Sequence, residues 1–150
     1  MSNIFNTTFE ISLRVLLILE STPREWISSD RIAATDFITV YGKDFGITSE
    51  NLHGENNYRY SEFTLRRGLV KEALKSLVFR DLVHVQNTSD GLAYTLAKDG
   101  GEYSAKLEGE YARIYREFTL AVNQFTANKT ERDLLSLINR YSLSAMRRSN

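Results

Sequence analysis

Residues 82–96 read LVHVQNTSDGLAYTL, and this stretch restricts the possible folds more than any other. Residues 82–86 alternate in the manner of a strand, and residues 92–96 supply a return strand. Between them NTSDG is turn chemistry: Asp90 and Gly91 tolerate the positive φ that a tight hairpin needs. On either side of this hairpin the apolar residues recur at helical spacing.

A first helix is expected over residues 8–20. Thr7 and Glu10 have capping-box spacing, in which a hydroxyl accepts from an early amide and a carboxylate reaches back. Only Glu10, Ser12 and Arg14 interrupt its apolar run from Phe9 to Leu19. A helix apolar on nearly every side is central, or is shared with a partner. Ser21, Thr22 and Pro23 stop it. The second helix starts after Ser28, Ser29 and Asp30, good N-cap residues, and ends near Tyr41 and Gly42. The third begins near Ser61 and Glu62, and Leu69, Val70, Ala73, Leu74, Leu77 and Val78 mark its buried face. After the hairpin, Tyr103, Leu107, Tyr111, Ile114, Phe118, Val122 and Phe125 form a one-sided, aromatic-rich seam along a single long helix over residues 102–128. Thr130 then caps a last helix with Leu134, Leu135, Ile138, Tyr141 and Ala145 inward.

Three helices followed by a two-stranded wing is the winged-helix order. The segment from Tyr94 to Gly101, closing the second wing strand and running into another helix, fits it. The expected fold is mainly α with a small β-hairpin wing: a winged helix-turn-helix with long C-terminal helices. Residues 1–97 are expected to form the winged-helix domain, with an inserted loop at 42–60. Residues 98–150 are expected to pack on it as a helical extension.

With 150 residues, of which 42% are hydrophobic and 25% charged, the chain can bury a core without staples. It has no cysteine, which excludes disulfides, thiolate zinc sites and cysteine nucleophiles, and fits a reducing cytosol. The longest apolar run, VLLIL at 15–19, is far short of the roughly 18 residues of a spanning helix. The start, MSNIFNTTFE, lacks the basic segment of a secretory signal. A cytoplasmic location with no membrane partner is expected.

Candidate chemistry is sparse. Asp44-Phe45-Gly46 spells a kinase metal-binding motif, but no Gly-rich phosphate loop or catalytic-loop Asp accompanies it, and the chain is too short for a kinase. His53 and His84, the only histidines, lack carboxylates converging at ligand spacing, so no metal is expected. Glu108 and Glu110, like Glu131 and Asp133, stand two apart and so point to different helix faces; they read as solvated surface rather than an acid–base dyad. No serine sits in a G-x-S-x-G elbow, and Gly100-Gly101 stands alone. No catalytic residue, cofactor or small-molecule substrate is expected.

Arg67, Lys71 and Lys75 recur every four residues along the third helix. Between Phe63 and Leu82, Arg66, Arg67, Lys71, Lys75 and Arg80 stand against Glu72 and Asp81, a net of +3. In a winged helix the third helix can enter the major groove, which makes Arg66, Arg67, Lys71 and Lys75 candidate DNA or phosphate contacts. The formal net charge of zero and the acidic approach through Asp44, Glu50, Glu55 and Glu62 favour an ordinary solvated face instead. Residues 42–60 show no period, yet carry Phe45, Ile47, Leu52, Tyr58 and Tyr60, too much apolar matter for a solvated tether. Ser49 to Leu52 reads as a short helical turn. Such a loop, held by its own side chains, is a docking surface. Its length disfavours operator recognition, in which helices two and three meet in a tight turn.

Several stretches taken together carry a resemblance: FNT and FEI at 5–11, RIAATDFI at 31–38, YGKDFGI at 41–47, NLHG at 51–54, and SEF at 61–63 with Arg66 and Arg67. They resemble the middle component of bacterial three-component ABC-ATPase (ABC-3C) systems, which overlap with the Lamassu anti-phage defence group. The likeness runs over roughly residues 5–125. It implies a non-catalytic winged-helix accessory subunit, similar in role to kleisins, which bridge ATPase heads. The implied partners are an SMC- or Rad50-like ATPase and an effector, often a nuclease, with any DNA contact weak or indirect. On this reading Phe45, Leu52, His53, Tyr58 and Arg59 are partner contacts. The alternative is a homodimeric regulator resembling the MarR or PadR type, with the 103–125 seam as dimer interface.

Overall fold

The structure, a computed structural model, describes residues 7–54 and 62–148, with side chains as far as residue 144. The chain runs α1 (Thr8–Glu20), β1 (Ile27–Ser28), α2 (Ser29–Val40), α3 (Glu62–Phe79), β2 (Val83–Thr88), β3 (Gly91–Leu96), α4 (Lys98–Ala105), α5 (Glu110–Thr126) and α6 (Glu131–Arg148). It is mainly helical with one small antiparallel sheet of order β1-β3-β2, whose β2–β3 hairpin is the expected wing. Strand β1 was not anticipated: it pairs Ile27 with Tyr94 and Ser28 with Ala93, and two residues carry no readable alternation.

Local chemistry sets the helix starts. Thr7 Oγ accepts from the Glu10 amide at 3.1 Å, and Ser28 Oγ accepts from the Arg31 amide at 3.1 Å. Thr130 and Asp133 make a reciprocal box at 3.1 and 2.9 Å, opening α6. The Ser28 hydroxyl also donates to Glu131, tying the cap of α2 to α6.

Helix α1 is the centre of the core, packed against α2, α3, α4 and α5. Ile11, Val15, Leu16, Ile18 and Leu19 are each at most 1% exposed. Truncating such a residue to Ala costs about 2–5 kcal/mol. One core cluster joins α1, α2 and α3 with Ala112, Tyr115 and Val122 of α5 and Leu134 and Ile138 of α6.

The single long helix over 102–128 is corrected to two helices, α4 and α5, broken at 106–109. Gly109 lies at φ 110°, a conformation that L side chains rarely adopt. Arg116 holds the break together: it donates to the carbonyls of Ser104 at 2.8 Å and Leu107 at 2.9 Å, and pairs with Glu20 at 2.8 Å. The apolar spacing ran across the break and concealed it. The buried face of α5 is Ala112, Tyr115, Phe118, Thr119, Val122 and Thr126, rotated from the expected seam. Its two threonines sit inside because each hydroxyl bonds back to the carbonyl four residues earlier, at 2.7 and 2.8 Å.

Helix α3 ends in a Schellman motif. Asp81 lies at φ 62°, the Leu82 amide reaches the Leu77 carbonyl at 2.9 Å, and the Asp81 amide reaches Val78 at 3.0 Å. The Leu82 carbonyl then accepts from the Ala97 amide at 3.1 Å and closes the base of the hairpin. Helix α4 comes down on this point through Gly100, where an added Cβ would stand 1.9 Å from the Leu82 carbonyl oxygen.

Candidate functional site

The connection after α2 is folded, not loose, over its described residues. The Ile47 amide bonds the Gly42 carbonyl at 2.9 Å, and the Leu52 amide returns to the Val40 carbonyl at 2.8 Å. Asn51 bridges the loop, donating to Asp44 at 3.0 Å and accepting from the Lys43 amide at 3.1 Å. Residues 41–46 and 52–53 form turns; the helical turn expected at Ser49 to Leu52 is absent, and the Leu52 amide instead returns to Val40.

Of the five expected partner contacts, the structure describes three. Phe45 is corrected: it is buried, its ring 4.4 Å from that of Tyr141 and 6.3 Å from that of Phe37. It anchors the loop to the core. Leu52 is partly buried against the core. His53 is half-buried, with Nε2 2.8 Å from the Tyr111 hydroxyl and its ring stacked on that of Tyr111. Tyr58 and Arg59 lie outside the described residues.

Beneath the loop is a cluster that sequence reasoning missed. Asp36 of α2 is fully enclosed and accepts four hydrogen bonds: Arg14 Nε at 2.8 Å and Nη2 at 3.2 Å, Arg66 Nη1 at 3.1 Å, and the Tyr115 hydroxyl at 2.6 Å. Arg66 also lies 3.6 Å from Glu62, whose carboxylate accepts from the Tyr41 hydroxyl at 3.4 Å. Two guanidinium groups are thus set against two carboxylates, as burial of charge requires. Tyr115 stacks on Tyr111, which leads through His53 to the loop.

Titration follows from this geometry. Burial pushes the Asp36 carboxyl up, but the charges of Arg14 and Arg66 and their hydrogen bonds outweigh it and hold it well below the usual carboxylate range. Burial likewise opposes the charge of Arg14, yet Asp36 raises its pKa overall. His53 is lowered to about 3, first by burial and then by the nearby Arg14 and Arg66 charges, so it is neutral at physiological pH. Tyr111 is pushed up to about 12 by burial, and the Tyr115 hydroxyl is raised by burial and by Asp36. Arg14 and Asp36 are thus favoured in their charged forms, and His53, Tyr111 and Tyr115 in their neutral forms.

The basic stripe is divided. Arg66 is corrected: it is 1% exposed and committed to Asp36, so it is no phosphate contact. Arg67 forks onto Asp30 at 2.9 and 3.1 Å and lies over the Phe63 ring. Lys71 and Lys75 are exposed, and Lys75 is 3.7 Å from Glu72. A surface that the sequence reading overlooked surrounds Trp26, 44% exposed between two grooves. One is lined by Arg31, Asn123 and Lys129, the other by Leu92 and Arg132. Among the described residues no three of His, Asp and Glu gather as a metal site, and no helix is long and apolar enough to cross a membrane.

The fold is a mainly helical domain with a wing-like hairpin, a tethered loop and a buried charge cluster. The sequence matches the family described as ABC-three component (ABC-3C) system Middle Component 2 over residues 4–148, and the chain belongs to that family. It is therefore one component of a multi-component system and has protein partners there. No curated protein and no solved structure matches it.

Proposed function

We propose that the chain is a non-catalytic, kleisin-like subunit that bridges an SMC- or Rad50-like ATPase and an effector nuclease. It works in the cytoplasm as part of a Lamassu-type anti-phage complex. Membership of the middle-component family carries the reading. Residues 1–97 act as a winged-helix domain and 98–150 as its extension.

The loop after α2 is the docking surface. Lys43, Ser49 and Glu50 are exposed on it, Leu52 borders them, and Tyr58 and Arg59 continue it in sequence. Phe45 and the backbone bonds to Gly42 and Val40 hold this surface in one shape, which lowers the ordering cost of binding. DNA contact, through Lys71 and Lys75, is secondary. The dimeric-regulator reading loses part of its interface, since Phe118 and Val122 of the expected seam are spent on the chain's own core, while Tyr103 and Phe125 stay exposed.

Co-purification with the other components of the system tests the proposal. Leu52→Asp combined with Tyr58→Asp is expected to release one component while leaving the circular dichroism of the chain unchanged. Retention of every component by that folded double variant rejects the loop surface.

A further inference from the structure

We propose that the outer edge of β2 is a strand-addition site for an extended segment of another component of the same system. The inference rests on the bridging role proposed above.

In the order β1-β3-β2, β2 ends the sheet, and among the described residues no strand lies beyond it. Its register with β3 runs from Val83 opposite Leu96 to Thr88 opposite Gly91. Hydrogen-bonded pairs alternate along an antiparallel ladder. The ladder is bonded at the turn, and again at its base, where Leu82 accepts from Ala97 at 3.1 Å. His84 and Gln86 therefore face β3, while Val83, Val85 and Asn87 turn their N–H and C=O groups outward. That row of donors and acceptors, repeating every second residue, fits another strand.

Nothing in the sequence guards this edge. Exposed edges are usually blunted by Lys, Pro, a bulge or brevity. VHVQNT carries no charge and no Pro, and its six residues pair one for one with β3 without a bulge. The opposite edge, β1, is protected: it has two residues, and Ser28 is tied to Glu131. Apolar side chains accompany the open edge. Val85 is 40% exposed, and Phe79, four residues before the strand, is 88% exposed. On the last turns of α3 and just beyond, Lys71, Lys75 and Arg80 outnumber Glu72 and Asp81. The segment that fits is extended, alternately apolar, and flanked by acidic residues.

Two variants in the full co-expressed complex test the site. Val85→Pro deletes one outward N–H and leaves the inward bonds of His84 and Gln86 in place. Val85→Lys charges the edge without altering the backbone. Each is expected to weaken one component's binding at least tenfold. In the wild-type complex, the amides of Val83, Val85 and Asn87 are expected to exchange with solvent at least tenfold more slowly than in the isolated chain. Should Val85→Pro fail to fold, Val85→Lys and amide exchange decide. Binding within twofold of wild type in a folded variant, or unchanged exchange at the three amides, overturns the proposal and leaves the bridging role standing. Loss of self-association alone assigns the edge to a second copy and also overturns it. A wild-type chain that captures no component at all overturns the bridging role as well.

Discussion

Replacing Asp36 by Asn tests the account of the core most directly. Asn has nearly the same size, so the variant opens no cavity and isolates the electrostatics. The wild-type carboxylate answers four donors from Arg14, Arg66 and Tyr115. Asn removes the negative charge and turns an NH2 donor toward a guanidinium that is itself a donor. Arg14 and Arg66 both lose their shared carboxylate, while Arg66 keeps Glu62 at 3.6 Å. Breaking a buried ion pair on one side costs about 3–5 kcal/mol. For a chain of this size that lowers the melting temperature by roughly 10 °C or more. Urea denaturation checks it: the midpoint should fall with the slope unchanged. A companion triple variant, Arg14→Met, Asp36→Leu and Arg66→Met, should recover most of the loss, since apolar replacement of a whole buried cluster is often neutral. Asp36 is depressed in the folded state, so its contribution is present above the ordinary carboxylate value and drains as pH falls below it. A loss under about 1 kcal/mol in Asp36→Asn would refute the reasoning, because so small a cost means that water or movement relieves the stranded charges.

Two other perturbations follow from the same packing. His53 binds its proton less readily when folded than when unfolded, so the unfolded chain gains protons first as pH drops below the ordinary histidine value of 6.5. Between pH 6.5 and 5 this costs about 2 kcal/mol, a slope that His53→Gln should abolish in urea titrations at the two pH values. Gly100→Ala sets a methyl 1.9 Å from the Leu82 carbonyl oxygen, where backbone must move. A loss of about 3 kcal/mol is expected by thermal denaturation, and a near-neutral result would mean that α4 does not sit down on the hairpin base.

Where structure is set within a few residues, it was readable. Thr7, Ser28 and Thr130 mark helix starts because a hydroxyl reaches an amide three positions on. The hairpin followed from alternation around Asp90-Gly91. The break at 106–109 escaped because it depends on Arg116 reaching back to Ser104 and across to Glu20, contacts that no local pattern contains. The ion cluster did leave a trace. Arg14 falls three after Ile11 and four before Ile18; Arg66 falls three after Phe63 and four before Val70; Asp36 falls four after Ile32 and four before Val40. Each charge occupies a position in register with a buried face, and the signs complement one another. Reading them as interruptions of an apolar stripe missed that pairing. The loop after α2 is a held segment, as expected, with Phe45 buried as its anchor; sequence alone does not say which aromatic of a loop plays that part.

Asp36 stands on α2, while its partners stand on α1, α3 and α5. None of these four helices can swing outward without breaking a buried hydrogen bond to Asp36. Such a body yields all at once or not at all, and has little compliance to absorb a push.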